Sequence, residues 1–280
     1  GLEHFTHYYT DYGMDLQRRF LGHFLKGEDN GWGERPKVQL LVRHPDEVFV
    51  ERAEDAWPIP RTEWTEMYLD PAGKTLSDAP MTEATAFTYE AMGDGATFLA
   101  PPVETETEIT GPVAAKLFIS SETEDADLFL VLRVFKPDMK EVVYKGANDP
   151  HTPVGLGWLR ASHRKLDPDQ TLPYRPCHTH DELQPLTPGE IYELDIEIWP
   201  TSIVLPEGYR LALSVRGRDY VYPGWTPGDP MIANRVQYGV GPFKHEMPSN
   251  RPLDVYGKKV TLHTGPDHPS HVLLPVIPEK

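Results

Sequence analysis

Residues 190–216, EIYELDIEIWPTSIVLPEGYRLALSVR, alternate apolar and polar side chains with a period of two. Tyr192, Leu194, Ile196 and Ile198 form one set, interleaved with Glu193, Asp195 and Glu197. After an expected break over 200–208, Tyr209, Leu211, Leu213 and Val215 alternate with Arg210, Ala212, Ser214 and Arg216. This period sends one set to a buried face and the other to water. Burying such side chains yields about 1.5–3 kcal/mol each, as an upper bound. Two amphipathic strands cannot cover those faces alone, so the rest of the chain must supply an opposing sheet. The stretch predicts the centre of a β-sandwich.

The surrounding sequence agrees. With 29 Pro and 22 Gly in 280 residues, turn formers are abundant, as many short strands and long loops require. Residues 11–26 predict a helix, because Leu16, Phe20 and Phe24 recur at four-residue spacing and Gly27 can cap the end. Residues 37–43, KVQLLVR, predict a strand. Pro58 and Pro60 then interrupt regular structure and mark a domain boundary. Beyond Trp64 the texture is all β, with strands expected over 65–69, 96–100, 107–120, 128–135, 141–145, 157–162, 258–262 and 270–276. The run LFLVLRV over 128–134 is apolar at nearly every position and predicts a central strand covered on both faces. Residues 77–90 are a polar excursion to which no element is assigned, 166–188 reads as a long loop and 221–252 as a long irregular segment.

Charge and cysteine usage exclude some roles. The formal charge of −16 repels phosphate backbones and anionic lipid, so neither nucleic acid nor membrane is an expected partner. Cys177 is the single cysteine, which rules out an intrachain disulfide. With no signal-like or membrane-spanning run visible, the cytoplasm is favoured. The chain opens at GLEHF without Met and reads as a piece of something longer.

Several phrases together resemble a known family. FLGHFLKGEDNG (20–31), EDAWPIPRTEWTEMYL (54–69), TEITGPVAAKLFISSETEDADLFLVLRVFKPD (107–138), GWLRASHR (157–164), LTPGEIYELDIEIWPTS (186–202) and LPEGYRLALSV (205–215) occur in the order found in the C-terminal half of CocE/NonD hydrolases. That group includes relatives of cocaine esterase, α-amino-acid ester hydrolases and X-Pro dipeptidyl-peptidase. The resemblance implies a mostly β fold: a jelly-roll β-sandwich, galactose-binding-domain-like, over 57–280. It implies that residues 1–56 are the C-terminal tail of an α/β-hydrolase domain. It also implies an upstream catalytic domain as partner, in the same protein or a separate chain. The expected substrate is a small acyl ester or peptide, with homo-oligomers possible. The alternative is a stand-alone carbohydrate-binding module of galactose-binding-like shape.

Catalysis by that family needs a Ser on a G-x-S-x-G elbow, then an acid, then a His. No G-x-S-x-G occurs in these 280 residues. The chain order leaves at most the His. By resemblance to a "G-P-W-x-H"-like segment, His4 in Gly1-Leu2-Glu3-His4 is the candidate general base, with His7 its rival. Without a nucleophile neither can run acyl transfer. No cofactor and no metal are expected. CHTHDE (177–182) offers ligand types but no second half at zinc spacing, and reads as an exposed loop. Glu122, Glu124, Asp125 and Asp127 lack the EF-hand spacing and read as a solvated turn. Trp158, Trp199, Tyr220, Tyr222 and Trp225 form either a sugar-stacking platform or core and domain contacts.

Overall fold

The computed structural model describes residues 8–146, 151–222 and 244–278. One long helix comes first, α1 (Asp11–Lys26), capped by Thr10 accepting from Gly13 N and ended by left-handed Gly27. A hairpin follows, β1 (Val38–His44) with β2 (Val48–Glu54), paired antiparallel as a separate two-stranded sheet among the described residues. The remaining strands are β3 (Glu63–Asp70), β4 (Thr75–Ser77), β5 (Thr85–Glu90), β6 (Ala96–Leu99), β7 (Thr107–Ser121), β8 (Asp127–Phe135), β9 (Glu141–Val142), β10 (Gly155–Arg160), β11 (Tyr192–Leu205), β12 (Arg210–Arg216), β13 (Lys259–Thr264) and β14 (His271–Ile277). A single helical turn, α2 (Leu253–Tyr256), precedes β13.

These twelve strands form a sandwich. In one layer, β7 pairs along one edge with β11 and along the other with β14 and β13. In the other layer the order is β10–β8–β12–β6. The layers join at two thin seams: Gly157 opposite Ile198 between β10 and β11, and a parallel pairing of Thr75 with Leu99 between β4 and β6. A Cβ on Gly157 would stand 2.4 Å from the Glu197 carbonyl oxygen, so this seam needs glycine. One continuous core fills the interior, with Leu194, Ile196, Ile198, Leu211, Leu213 and Val215 all buried.

The expected alternation holds on β11, where Glu193, Asp195 and Glu197 face outward. Two expectations about this region are corrected. The chain does not break at Pro200: β11 runs through it, and a bulge between Ile198 and Thr201 absorbs Trp199 and Pro200. Nor does the second face of β12 meet water. Ala212, Ser214 and Arg216 are buried beneath Tyr220 and a polar layer in which Arg133 holds Glu141 at 2.6 and 2.9 Å. Within that layer Thr97 Oγ1 lies 2.7 Å from Ser214 Oγ, which satisfies both hydroxyls. Strand β8 is buried at every position, as its apolar run predicts. Within the unassigned polar excursion over 77–90, residues 85–90 form a strand paired with β13. The strand expected over 141–145 shortens to the two residues of β9.

Helix α1 forms where its periodicity places it, yet its apolar stripe is uncovered. Phe20, Leu21, Phe24 and Leu25 are all exposed. Its local cover is Trp32, whose ring lies 5.3 Å from that of Phe20. The β1–β2 hairpin, by contrast, is tied to the sandwich. Arg43 Nε donates to Ser202 O at 2.8 Å, and its Nη2 donates to Val154 O and Thr201 Oγ1 at 3.0 and 2.5 Å. The same guanidinium lies 4.6 Å from the centre of the Tyr144 ring, whose hydroxyl donates to His44 O. At the hairpin's far end, Arg52 forms a two-pronged pair with Glu108 of β7.

Candidate functional site

A cleft of about 620 Å3 opens over the outer face of β8 and β10, beside the bulge of β11. Alternation builds its floor. Leu159 points into the core, so Trp158 and Arg160 point out, joined by Glu197 and Trp199 from β11. The Trp158 and Trp199 rings meet edge to face at 5.1 Å, and Trp199 is 62% exposed.

One wall is a hub of buried carboxylates. Asp127 accepts from Arg160 Nε at 2.8 Å and from Arg251 Nε at 2.9 Å, which binds the segment after residue 244 to the sheet. Asp125 accepts from Ala126 N, Ser162 N, Ser162 Oγ and Tyr256 OH at 2.7–2.9 Å. The solvated turn expected here is therefore corrected: both aspartates are buried and saturated, because a carboxylate leaving water must recover its hydrogen bonds. Beside them Asp219, itself buried, accepts from His245 N at 2.6 Å and pairs with His245 Nδ1 at 3.0 Å. That hydrogen bond raises the His245 pKa above its ordinary value, against the opposing effect of burial.

The other wall carries three histidines. A 3-10 turn, Ala161–His163, ends β10 and projects His163. The loop that follows folds back, with Leu166 bridged to His178 and Thr179 N donating to Lys165 O. His178 and His180 then face His163, and the Nδ1 atoms of His163 and His180 lie 3.1 Å apart. His180 adopts a positive φ of 52°. Burial and the neighbouring His180 push the His178 pKa down.

Asp219 orients His245 as an acid orients a base, but the cleft lining includes no hydroxyl or thiol among the described residues. The arrangement can bind and polarise a ligand. Also among the described residues, no three or more His, Cys, Asp or Glu stand in coordinating positions. A second cavity, of about 760 Å3, lies between the layers and is lined mainly by apolar side chains such as Met67, Leu76, Ile109 and Leu211.

His4 and His7 lie outside the described residues, as does Trp225. Of the described aromatics, Tyr220 lies in the interior, as the core reading has it, Tyr222 stacks on His151 at 4.3 Å, and Trp158 meets Trp199 in the cleft. Sequence reasoning missed His245, Asp219 and Arg251. They fall in irregular stretches where no periodicity marks a face. No helix among the described residues is long and apolar enough to cross a membrane.

Comparison with known proteins bears on the whole arrangement. Residues 30–273 match the family model of the X-Pro dipeptidyl-peptidase C-terminal non-catalytic domain. Cocaine esterase of Rhodococcus sp. strain MB1 Bresler is 26% identical over 306 residues, which covers 94% of this chain and 45% of that protein. A candidate serine esterase of Mycobacterium bovis is 28% identical over 246 residues, covering 75% of this chain and 37% of that protein. A solved CocE/NonD family hydrolase from Staphylococcus aureus superposes with a TM-score of 0.81 at 27% identity, covering 96% of this chain and 47% of that one. The chain thus spans less than half the length of these relatives.

Proposed function

This chain belongs to the family of X-Pro dipeptidyl-peptidase C-terminal non-catalytic domains, and from that premise we propose that it is the accessory sandwich of a CocE/NonD-type serine hydrolase. The complete enzyme cleaves an ester or an amide through an acyl-serine. This chain supplies no nucleophile and at most the triad histidine, His4, with His7 as rival. Residues 1–56 are the end of the α/β-hydrolase domain and 57–280 the sandwich, which buttresses the catalytic domain and helps to shape the substrate entrance.

One observation carries this reading. Helix α1 has a regular apolar stripe that, among the described residues, is left largely exposed beyond its contact with Trp32, with Phe24 60% and Leu25 77% exposed. Leu41 and Phe49 of the adjoining hairpin are exposed as well. Apolar faces of this kind mark an interface, and membership of a family named for being non-catalytic supports a catalytic domain as the occupant. The test is Phe24→Asp. In this chain alone the substitution loses only the local ring contacts with Phe20 and Trp32, so it lowers the melting temperature by no more than a few degrees. In the protein that carries the catalytic domain it lowers ester turnover and destabilises the assembly. Unchanged turnover and stability there overturn the docking role.

A stand-alone carbohydrate-binding module is the second reading, favoured by exposed Trp199 beside Trp158. Saturable quenching of Trp fluorescence by a glycan, lost in Trp199→Ala, supports it. A flat titration against a broad glycan set ends it.

A further inference from the structure

We propose that Trp158, Trp199 and Glu197 form a binding corner for a small organic ammonium ion.

Strand register builds the corner. Gly157 stands opposite Ile198 where β10 and β11 meet antiparallel, so the next pair along is Trp158 opposite Glu197. Leu159 and Ile198 are buried in the core, which sends Trp158 and Glu197 together to the outer face. Residues opposed on one face hold their Cβ atoms about 4.5–5.5 Å apart. The bulge between Ile198 and Thr201 then brings Trp199 against Trp158, with ring centres 5.1 Å apart and planes inclined at 71°. Two steeply inclined indoles therefore stand beside one carboxylate.

Charge selects the ligand. The fixed charges that line the cleft are Asp127, Arg160, Glu197, Lys244 and Arg251. Asp127 takes both arginines, whose remaining donors reach Asn250 O, His245 O and Gly217 O at 2.5–3.0 Å. Lys244 Nζ pairs with Glu246 at 2.6 Å. On β11 itself, the outward Glu193 and Asp195 share Lys116. Glu197 is half-buried and, among the described residues, has neither a hydrogen bond nor an ion pair. A carboxylate drawn partly out of water beside apolar rings has lost hydration that nothing in the protein replaces. A cation replaces it. The indole face is itself negative, and Trp holds a cation best of the aromatic side chains, within about 6 Å of the ring centre. With centres 5.1 Å apart, one ammonium in the angle between the rings lies within that reach of both. An anion meets repulsion from Glu197 and from both ring faces. A calcium or magnesium ion needs about six oxygen ligands, which one carboxylate does not supply. A neutral sugar leaves the charge of Glu197 unmatched.

The experiment titrates the chain with choline and, in parallel, with dimethylbutanol, the neutral isostere in which carbon replaces the nitrogen. Trp fluorescence and heat are both followed. Choline should saturate at about one site per chain, and dimethylbutanol should bind at least about fivefold more weakly. Glu197→Gln keeps the shape and removes the charge, and Trp199→Ala removes one wall. Each should weaken choline binding at least about fivefold. Unchanged melting of Glu197→Gln shows that its fold is intact. Trp64→Phe, at the distant ring that stacks on Tyr174, keeps full affinity. No saturation by choline overturns the proposal. So does equal binding of dimethylbutanol, or choline binding that Glu197→Gln leaves intact. Saturable binding of a neutral glycan with no response to choline also overturns it, and returns the cleft to the carbohydrate reading. Because neither turnover nor docking enters the readout, failure here is separate from failure of the accessory role.

Discussion

Replacing Arg43 by Met should release the β1–β2 hairpin from the sandwich while leaving the sandwich folded. The arginine donates three hydrogen bonds of 2.5–3.0 Å to Ser202 O, Val154 O and Thr201 Oγ1, and stacks on Tyr144. Hydrogen bonds from a charged group contribute about 1.5–3 kcal/mol each, or about 4–9 kcal/mol together before opposing terms. Burial of the guanidinium opposes this, and it pushes the Arg43 pKa down. Desolvation of a buried ion takes back several kcal/mol, which leaves a net docking contribution of about 2–4 kcal/mol. Methionine keeps the apolar stem against Tyr144 and loses every donor. The hairpin should then open about 30- to 1,000-fold more often, at a factor of ten per 1.4 kcal/mol. Native-state amide exchange reads this directly. Amides of residues 38–54 should lose protection by that factor, while those of β8 and β12 stay within about twofold. Equal loss in β8 would show that Arg43 supports the whole fold. No loss in the hairpin would show that its other ties, chiefly Arg52 with Glu108, suffice. Either result refutes the reasoning.

Two further predictions address the cleft. Asp125→Ala leaves the Ser162 and Ala126 amides and the Tyr256 hydroxyl without their acceptor, and should destabilise the sandwich by about 3–5 kcal/mol in urea unfolding. A loss under about 1 kcal/mol would mean that water replaces the carboxylate. The second concerns pH. Because Asp219 raises the folded pKa of His245, the protonated pair stabilises fully below the unfolded value of about 6.5, and this is lost as pH rises through the higher folded value. The urea midpoint of the wild type should therefore fall with rising pH in that window, and that component should vanish in Asp219→Asn. A slope that persists in the variant would assign the effect to another group.

The strands that read clearly in the sequence are those with one dominant environment. Tyr192 to Ile198 alternate because one face of β11 meets the core and the other meets water. Residues 128–134 are apolar at every position but Arg133 because β8 is covered on both faces. Strand β12 misleads because its second face is covered by a polar layer, so Ser214 and Arg216 look solvent-facing while lying buried. Strand β5 hides for the opposite reason. It lies at the edge of its layer, paired only with β13, and keeps a polar composition. The site was less legible than the fold. CHTHDE announces two histidines, but their partner His163 arrives only through the fold-back of the loop. Asp219 and His245 are 26 residues apart in stretches without a period. Such pairings are set by tertiary structure, to which local spacing carries no pointer.

The central claim is that this chain is the non-catalytic sandwich of a serine hydrolase. Incubation of the chain alone with p-nitrophenyl esters and with a fluorophosphonate that labels activated serines tests it most directly. p-Nitrophenol should be released at the buffer rate, with no covalent adduct. Saturable turnover, with a fluorophosphonate bound to a serine of this chain, would contradict it.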